Sequence, residues 1–175
     1  MLSVAETIPS PENDKELKLV VFTLAGAEFG MEIGRVREII RVAEITKMPR
    51  APRFLSGMIN LRGRVVSILD FKKRFELPDC DWTADARIMV VEMGDLVVGL
   101  LVDKVLEVQR VSESRRTAPN RHYLGIPSQF LAGVVEAKGG LILLLDLERA
   151  FNLDEIKNLA GSERSVLTEE RFHAR

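Results

Sequence analysis

Residues 54–77 read FLSGMINLRGRVVSILDFKKRFEL, and residues 130–153 read FLAGVVEAKGGLILLLDLERAFNL. At an offset of 76, Phe54 falls on Phe130, Leu55 on Leu131, Gly57 on Gly133 and Gly63 on Gly139. Further along, Leu69 falls on Leu145, Asp70 on Asp146, Phe75 on Phe151 and Leu77 on Leu153. In the first stretch, Gly63 separates Met58-Ile59-Asn60-Leu61 from Val65-Val66-Ser67-Ile68. A glycine there supplies the positive φ that a tight hairpin demands, and Gly139-Gly140 does so in the second stretch. Asp70 and Asp146 then stand before Phe71 to Phe75 and Leu147 to Phe151, placed to accept backbone N–H bonds as helix N-caps. A hairpin followed by a capped turn is thus written twice.

The recurrence extends upstream. At an offset of 69, Val21 matches Val90, Gly30 matches Gly99, Val36 matches Val105, Glu38 matches Glu107, Arg41 matches Arg110 and Val42 matches Val111. The change of offset makes the connection Ser112 to Gln129 seven residues longer than Ala43 to Arg53. The first copy carries short apolar runs at Leu17–Leu24, Glu28–Ile33, Val36–Val42, Gly57–Leu61 and Arg64–Leu69. The second carries them at Arg87–Met93, Leu96–Val102, Val105–Val111, Gly133–Ala137 and Leu141–Leu145. Strands this short, at this spacing, predict an all-β, mainly β chain built as a sandwich or barrels from two five-strand units. The expected boundaries are about 17–83 and about 84–146. Leu147, Ala150, Phe151, Leu153, Ile156 and Leu159 follow helical spacing, predicting one C-terminal helix over about 147–160. It is expected to kink near Asn152, cover a barrel end and stop at Gly161. Residues 1–16 and 161–175 read as mobile tails around a domain of 17–160.

With 175 residues, 46% of them hydrophobic, the chain can bury a real core. A net charge of -1 favours neither nucleic acid nor an anionic membrane. The N-terminus has no basic n-region followed by an apolar stretch, and the longest apolar run, Leu141 to Leu145, is far short of a bilayer span. A cytoplasmic location is expected. Cys80 is the single cysteine, so no disulfide framework is expected, and the acids Asp79 and Asp81 beside it predict an inert thiol.

No phosphate loop, dinucleotide fingerprint, nucleophile elbow or HExxH helix occurs. His173 lies in the charged tail and His122 in the long loop, so neither suits a metal or a general base. Asp70 and Asp146 are accounted for as caps, and Asp103 faces the turn from Val102 to Val105. The bases Lys47, Arg50 and Arg53, Lys72 to Arg74, and Arg115, Arg116 and Arg121 read as solvated loop faces, although Arg115 and Arg116 would suit an acidic partner. No catalysis, cofactor or metal is expected. Glu38 with Arg62 is partly echoed by Glu107 with Lys138, an acid on one strand and a base near a hairpin turn. Such a cross-strand pair either holds the fold or faces a partner.

Seven motifs together resemble the CheW-like coupling proteins of bacterial chemosensory arrays. They are Phe22-Thr-Leu-Ala-Gly-Ala-Glu-Phe-Gly30, Val36-Arg-Glu-Ile-Ile40, Pro49-Arg-Ala-Pro52, Gly57-Met-Ile-Asn-Leu-Arg-Gly63, Ile68-Leu-Asp-Phe71, Val98-Gly-Leu-Leu-Val-Asp-Lys-Val105 and Phe130-Leu-Ala-Gly133. The resemblance covers about residues 17–155; Ser67 departs from it where the family often carries proline. It implies two tandem five-stranded SH3-like β-barrel subdomains and a non-catalytic adaptor linking the cytoplasmic hairpin tip of chemoreceptors to the regulatory domain of the histidine kinase CheA. The resemblance puts the receptor tip in a groove lined by Val36, Glu38, Ile39, Gly57, Ile59, Asn60 and Arg62, completed by Val102, Val105 and Val108. Helix-in-groove binding of this kind uses apolar anchors and a few charges that set register. Kinase contact would use barrel-end surfaces, and the adaptor would sit in the cytoplasm at membrane receptor arrays. Two alternatives stand beside it: a CheW-like adaptor of a pathway governing gliding, pili or a cyclic-dinucleotide output, and a small-ligand-binding β-barrel, disfavoured because small barrels are filled by their own side chains.

Overall fold

The computed structural model describes residues 14–78, 81–138 and 140–158. Residues 1–13 of the expected N-terminal tail, the expected C-terminal tail, Cys80, Gly139, His173 and the expected helix stop at Gly161 lie outside these residues. Strands β1 (Glu16–Leu24), β2 (Ala27–Glu32), β3 (Val36–Arg41), β4 (Leu55–Leu61) and β5 (Arg64–Asp70) lead into the short helix α1 (Phe71–Arg74). The chain continues as β6 (Arg87–Met93), β7 (Leu96–Val102), β8 (Lys104–Ser112), β9 (Arg116–Thr117), β10 (Leu131–Ala137), β11 (Gly140–Leu145) and helix α2 (Leu147–Ala150). The ten expected strands are all present to within two residues at each end. The two-residue β9 was not anticipated, because a pair of exposed residues in a polar loop carries no periodicity.

The strands form two sheets, ordered β8-β1-β2-β11-β10-β9 and β3-β6-β7-β5-β4. The recurrence predicts which segments are equivalent, and the sheets respect it: β8, β1, β2, β11 and β10 stand in the places of β3, β6, β7, β5 and β4. The expected boundary near residue 83, however, divides neither sheet. Hairpin β1–β2 pairs with β8 and β11, and hairpin β6–β7 pairs with β3 and β5. Each copy therefore gives its first hairpin to the sheet of the other. The physical cause lies in the connections. A 3-10 turn of three residues, Ile33–Arg35, joins β2 to β3, and Asp103 alone joins β7 to β8. Neither reverses the chain, so each strand runs on into the opposite sheet.

The inner strands are buried on both faces, which is why they read as near-continuous apolar runs, whereas the edge strands β3 and β8 are largely exposed. Along β1, Leu19 and Val21 turn to one cluster with Val111, Val135, Ile142 and Leu144, while Val20, Phe22 and Leu24 turn the other way. The second sheet has its own cluster of Ile59, Val66, Ile68, Ile88, Val90 and Leu101. Between the sheets lies a shared core in which Phe22, Phe29, Phe71 and Phe151 meet Met89, Met93 and Leu100. Phe151 packs 5.4 Å from the Phe54 ring and 6.1 Å from that of Phe71. Both predicted caps form, with Asp70 accepting from Lys73 N at 3.1 Å and Asp146 from Arg149 N at 3.2 Å.

The single C-terminal helix does not form. Phe151 is extended (φ −124°, ψ 136°), and α2 ends before it. Asn152 Oδ1 then accepts from Asp154 N at 3.0 Å and Glu155 N at 3.2 Å, capping a separate helical stretch at 153–158. Nor does this segment cover a barrel end: Leu147, Ala150, Phe151 and Ile156 insert into the shared core between the sheets.

Candidate functional site

The β4–β5 turn is formed by Arg62 (φ 51°) and Gly63 (φ 83°), both left-handed as a tight two-residue hairpin requires. Asn60 Oδ1 accepts from Gly63 N at 2.9 Å and steadies the turn. Arg62 then reaches the edge strand β3, where Glu38 accepts its Nη1 at 2.8 Å and its Nη2 at 3.2 Å. Such a two-pronged contact fixes geometry well. With the Arg62 side chain 77% exposed, it adds at most about 1 kcal/mol to stability. A cleft of about 600 Å³ lies beside this pair, lined among others by Glu38 of β3, Val90 of β6, Leu96 of β7 and Arg62 and Val65 of the β4–β5 hairpin.

The other groove residues are dispersed. Ile39, 40% exposed, lies beside Glu38 on β3 and points to the opposite face. Val108, 50% exposed, lies on β8, the edge strand of the other sheet. Val36 and Val105 are half-buried, at equivalent places on β3 and β8, and pack against the shared core. Ile59 and Val102 are core side chains and present no surface to a partner. At Gly57 (φ 142°) a Cβ would lie 2.2 Å from the Thr46 carbonyl oxygen. That glycine is explained by the backbone pairing of Thr46 with Met58, which brings the chain after β3 against β4. The structure thus gathers Glu38, Asn60 and Arg62 at one edge, while Glu107 and Lys138 form no ion pair. Glu107 accepts from Gln109 instead, at 3.0 Å.

Sequence reasoning missed the junctions between the sheets. Lys72, grouped with solvated bases, is 1% exposed. Its Nζ lies 2.8 Å from Asp103 Oδ1 and 3.8 Å from the centre of the Trp82 ring, a cation–π placement. Asp103 Oδ2 accepts from Ala25 N at 2.8 Å and Asp103 N donates to Thr23 O at 3.0 Å, so this residue does more than make a turn. At the related junction Arg35 pairs with Glu148 and donates to Glu92 O at 3.2 Å. Burial pushes the Glu148 carboxyl up, but hydrogen bonds from Arg35 and from backbone N–H groups outweigh it and hold it below its ordinary range. The one trace in the sequence was the reversed charge of Lys72 and Glu148 within matched turns.

Among the described residues no three His, Cys, Asp or Glu side chains converge on a metal-sized site, and no helix is long and apolar enough to cross a membrane. His122 is exposed, and its Nδ1 accepts from Ser128 N at 3.2 Å. Exposed edge strands, apolar side chains beside them and an aligned ion pair are the materials of a protein-docking surface. Together with the two sheets they define a β scaffold of two SH3-like subdomains.

Comparison with known proteins places it more narrowly. The model of the CheW-like domain matches residues 18–155, and the chain belongs to that family. It is 27% identical over 158 residues to the chemotaxis protein CheW of Treponema pallidum, covering 88% of this chain and 93% of that one. It is 35% identical over 139 residues to the chemotaxis protein CheW of Rhizobium meliloti, covering 79% and 89%. The crystal structure of the scaffolding protein TtCheW from Thermoanaerobacter tengcongensis superposes with a TM-score of 0.75 at 33% identity, covering 81% of this chain and 91% of that one.

Proposed function

We propose that the protein is a non-catalytic adaptor of bacterial chemotaxis, coupling chemoreceptors to a CheA-type histidine kinase in the cytoplasm. Family membership and likeness to a scaffolding protein support the role. The observation that carries the site is the exposed Glu38–Arg62 pair on an edge strand that also presents Ile39. In this reading the receptor's helical hairpin tip lies along β3 and β8. Ile39 and Val108 anchor its apolar face, Glu38, Asn60 and Arg62 set its register, and Val36 and Val105 back the strands from the core. Ile59, Val102 and Gly57 shape the groove without touching the tip. The kinase regulatory domain takes the barrel-end surfaces, leaving the groove free for simultaneous binding.

The test is capture of a purified receptor cytoplasmic fragment by wild type, Ile39→Asp and Arg62→Ala. Both variants should lose most binding while their melting temperatures stay within a few degrees of wild type, because Ile39 and Arg62 are surface residues outside the core clusters. Undiminished capture by both would remove the groove from consideration.

A further inference from the structure

Beside edge strand β8 the second copy leaves open what the first copy closes. In the first, Arg62 of the β4–β5 turn reaches across to Glu38 on edge strand β3. The equivalent Lys138 follows β10 and makes no ion pair among the described residues, and Glu107 turns to Gln109. Strand β9 covers β10 only at Val134 and Val135. A cleft of about 480 Å³ remains between β8 and the end of β10, lined by Val108 to Ser112, Arg115, Ala137 and Lys138. Three of these residues are bases and none is an acid. Arg110 has one long contact, 3.7 Å, with Glu16, and Arg115 has no carboxylate partner among the described residues. Val108, 50% exposed, offers an apolar surface at the far end.

Asp14, just before β1, is fastened at the near end of this cleft. Its carboxylate accepts from Ser112 Oγ, from Ser114 Oγ at 3.0 Å and from Ser114 N at 3.3 Å. Glu113 N donates to Lys15 O at 2.8 Å. The chain upstream of Asp14 therefore joins the fold beside Ser112. Residues 6–13 read ETIPSPEN, with two acids and no base, which complements the charge of the cleft. Val108 lies four residues back along β8 from Ser112, about 13 Å. Ile8, six residues before Asp14, can reach at most about 20 Å, so it spans that distance. Glu12, two residues before Asp14, comes within reach of Arg115. Pro9 and Pro11 fall on the same side of an extended chain, so both positions without an N–H turn away from β8 together, as an edge segment allows.

We propose that residues 6–13 lie along β8 in this cleft as an internal strap, with Glu12 on Arg115 and Ile8 over Val108, and that the strap competes with the receptor tip for that edge. The docking stands on the cleft, the fastening of Asp14 and the charge pattern. The competition rests on the receptor reading above, in which Val108 is an anchor.

The docking is tested without any partner. A full-length chain carrying Cys80→Ser, Ile8→Cys and Val108→Cys is oxidised in dilute solution, and its bonds are mapped by mass spectrometry. A second chain carries Val65→Cys in place of Val108→Cys, since Val65 is exposed on the other sheet. The 8–108 bond should form within single chains and dominate, because only neighbouring Cα atoms can be bridged, while 8–65 stays rare. Adding Glu6→Lys and Glu12→Lys should cut the 8–108 yield several-fold. A yield at 108 no greater than at 65, a yield that the lysines leave unchanged, or a bond that joins two chains overturns the docking. The competition is read by capture of the receptor cytoplasmic fragment. Glu6→Lys, Ile8→Asp and Glu12→Lys together should tighten capture by about three- to tenfold, the gain when an edge free in roughly one-tenth to one-third of chains becomes free in all. Unchanged affinity, with the 8–108 bond formed, overturns the competition. Capture by neither chain counts against the receptor reading itself, and the bond still decides the docking.

Discussion

Replacing Gly57 with alanine should cost stability through one close contact whose terms can be worked out. A Cβ there would stand 2.2 Å from the Thr46 carbonyl oxygen and 2.8 Å from Ile45 Cγ2. Backbone cannot yield as the end of a flexible side chain can, so the segment around Thr46 must lift away from β4. That breaks the Thr46 N to Met58 O and Met58 N to Thr46 O bonds, both 2.8 Å, at about 0.5–1.5 kcal/mol each. Holding alanine at φ 142° adds strain on the order of 1–3 kcal/mol. The reduced freedom of the unfolded chain returns about 0.4–1 kcal/mol. The net expectation is a loss of about 2–5 kcal/mol, or roughly 5–15 °C in melting temperature for a chain of this size. Urea unfolding followed by the fluorescence of Trp82, the single tryptophan, reads it directly. Gly34→Ala, where a Cβ meets nothing, is the control and should unfold like wild type. A Gly57→Ala midpoint equivalent to less than about 0.5 kcal/mol from wild type would refute the reasoning. It would also return Gly57 to the list of partner-facing positions.

Glu38→Ala should change unfolding stability by no more than about 1 kcal/mol, since its pair is exposed; a loss of 3 kcal/mol or more, outside the usual range for exposed pairs, would make the pair structural. Phe151→Ala should cost about 3–5 kcal/mol in the same urea assay, because the ring is fully buried among Phe54 and Phe71. Arg35→Gln should show a pH signature. Glu148 is held below its ordinary 4.5 in the folded chain, so its contribution is present above that value and is lost as pH falls through the lower folded value. The wild-type advantage over Arg35→Gln, at most about 1 kcal/mol at pH 7 for this part-exposed pair, should therefore shrink below pH about 4. An advantage that persists to pH 2 would point to packing by the arginine stem, not to charge.

Strand positions were legible because short apolar runs and turn glycines are local signals, and the duplication repeated each of them. The caps at Asp70 and Asp146 were legible for the same reason. Pairing across the sheets was not, because the two hairpins are alike in most of their apolar positions and the crossovers, one and three residues long, decide where each goes. Nor was the fate of Lys72: a lysine beside Lys73 and Arg74 looks solvated until Asp103 and Trp82 are brought to it from distant segments. The C-terminal helix failed as an expectation because helical spacing of Leu147, Ala150 and Phe151 continues through Asn152, whose side chain prefers to cap. At the site, the pairing of Glu38 with Arg62 was readable as an acid and a base near one turn. That Ile59 on β4 and Val102 on β7 are interior, whereas Ile39 on β3 and Val108 on β8 are not, required the placing of β4 and β7 within a sheet and of β3 and β8 at the edges of two different ones.

The coupling role is tested most directly by reconstituting a receptor cytoplasmic fragment and a CheA-type kinase with and without this protein, and following kinase autophosphorylation. The expected result is receptor control of the kinase only when the protein is present, lost with Arg62→Ala at unchanged kinase binding. Equal receptor control in its absence, or no association with either partner, would contradict it.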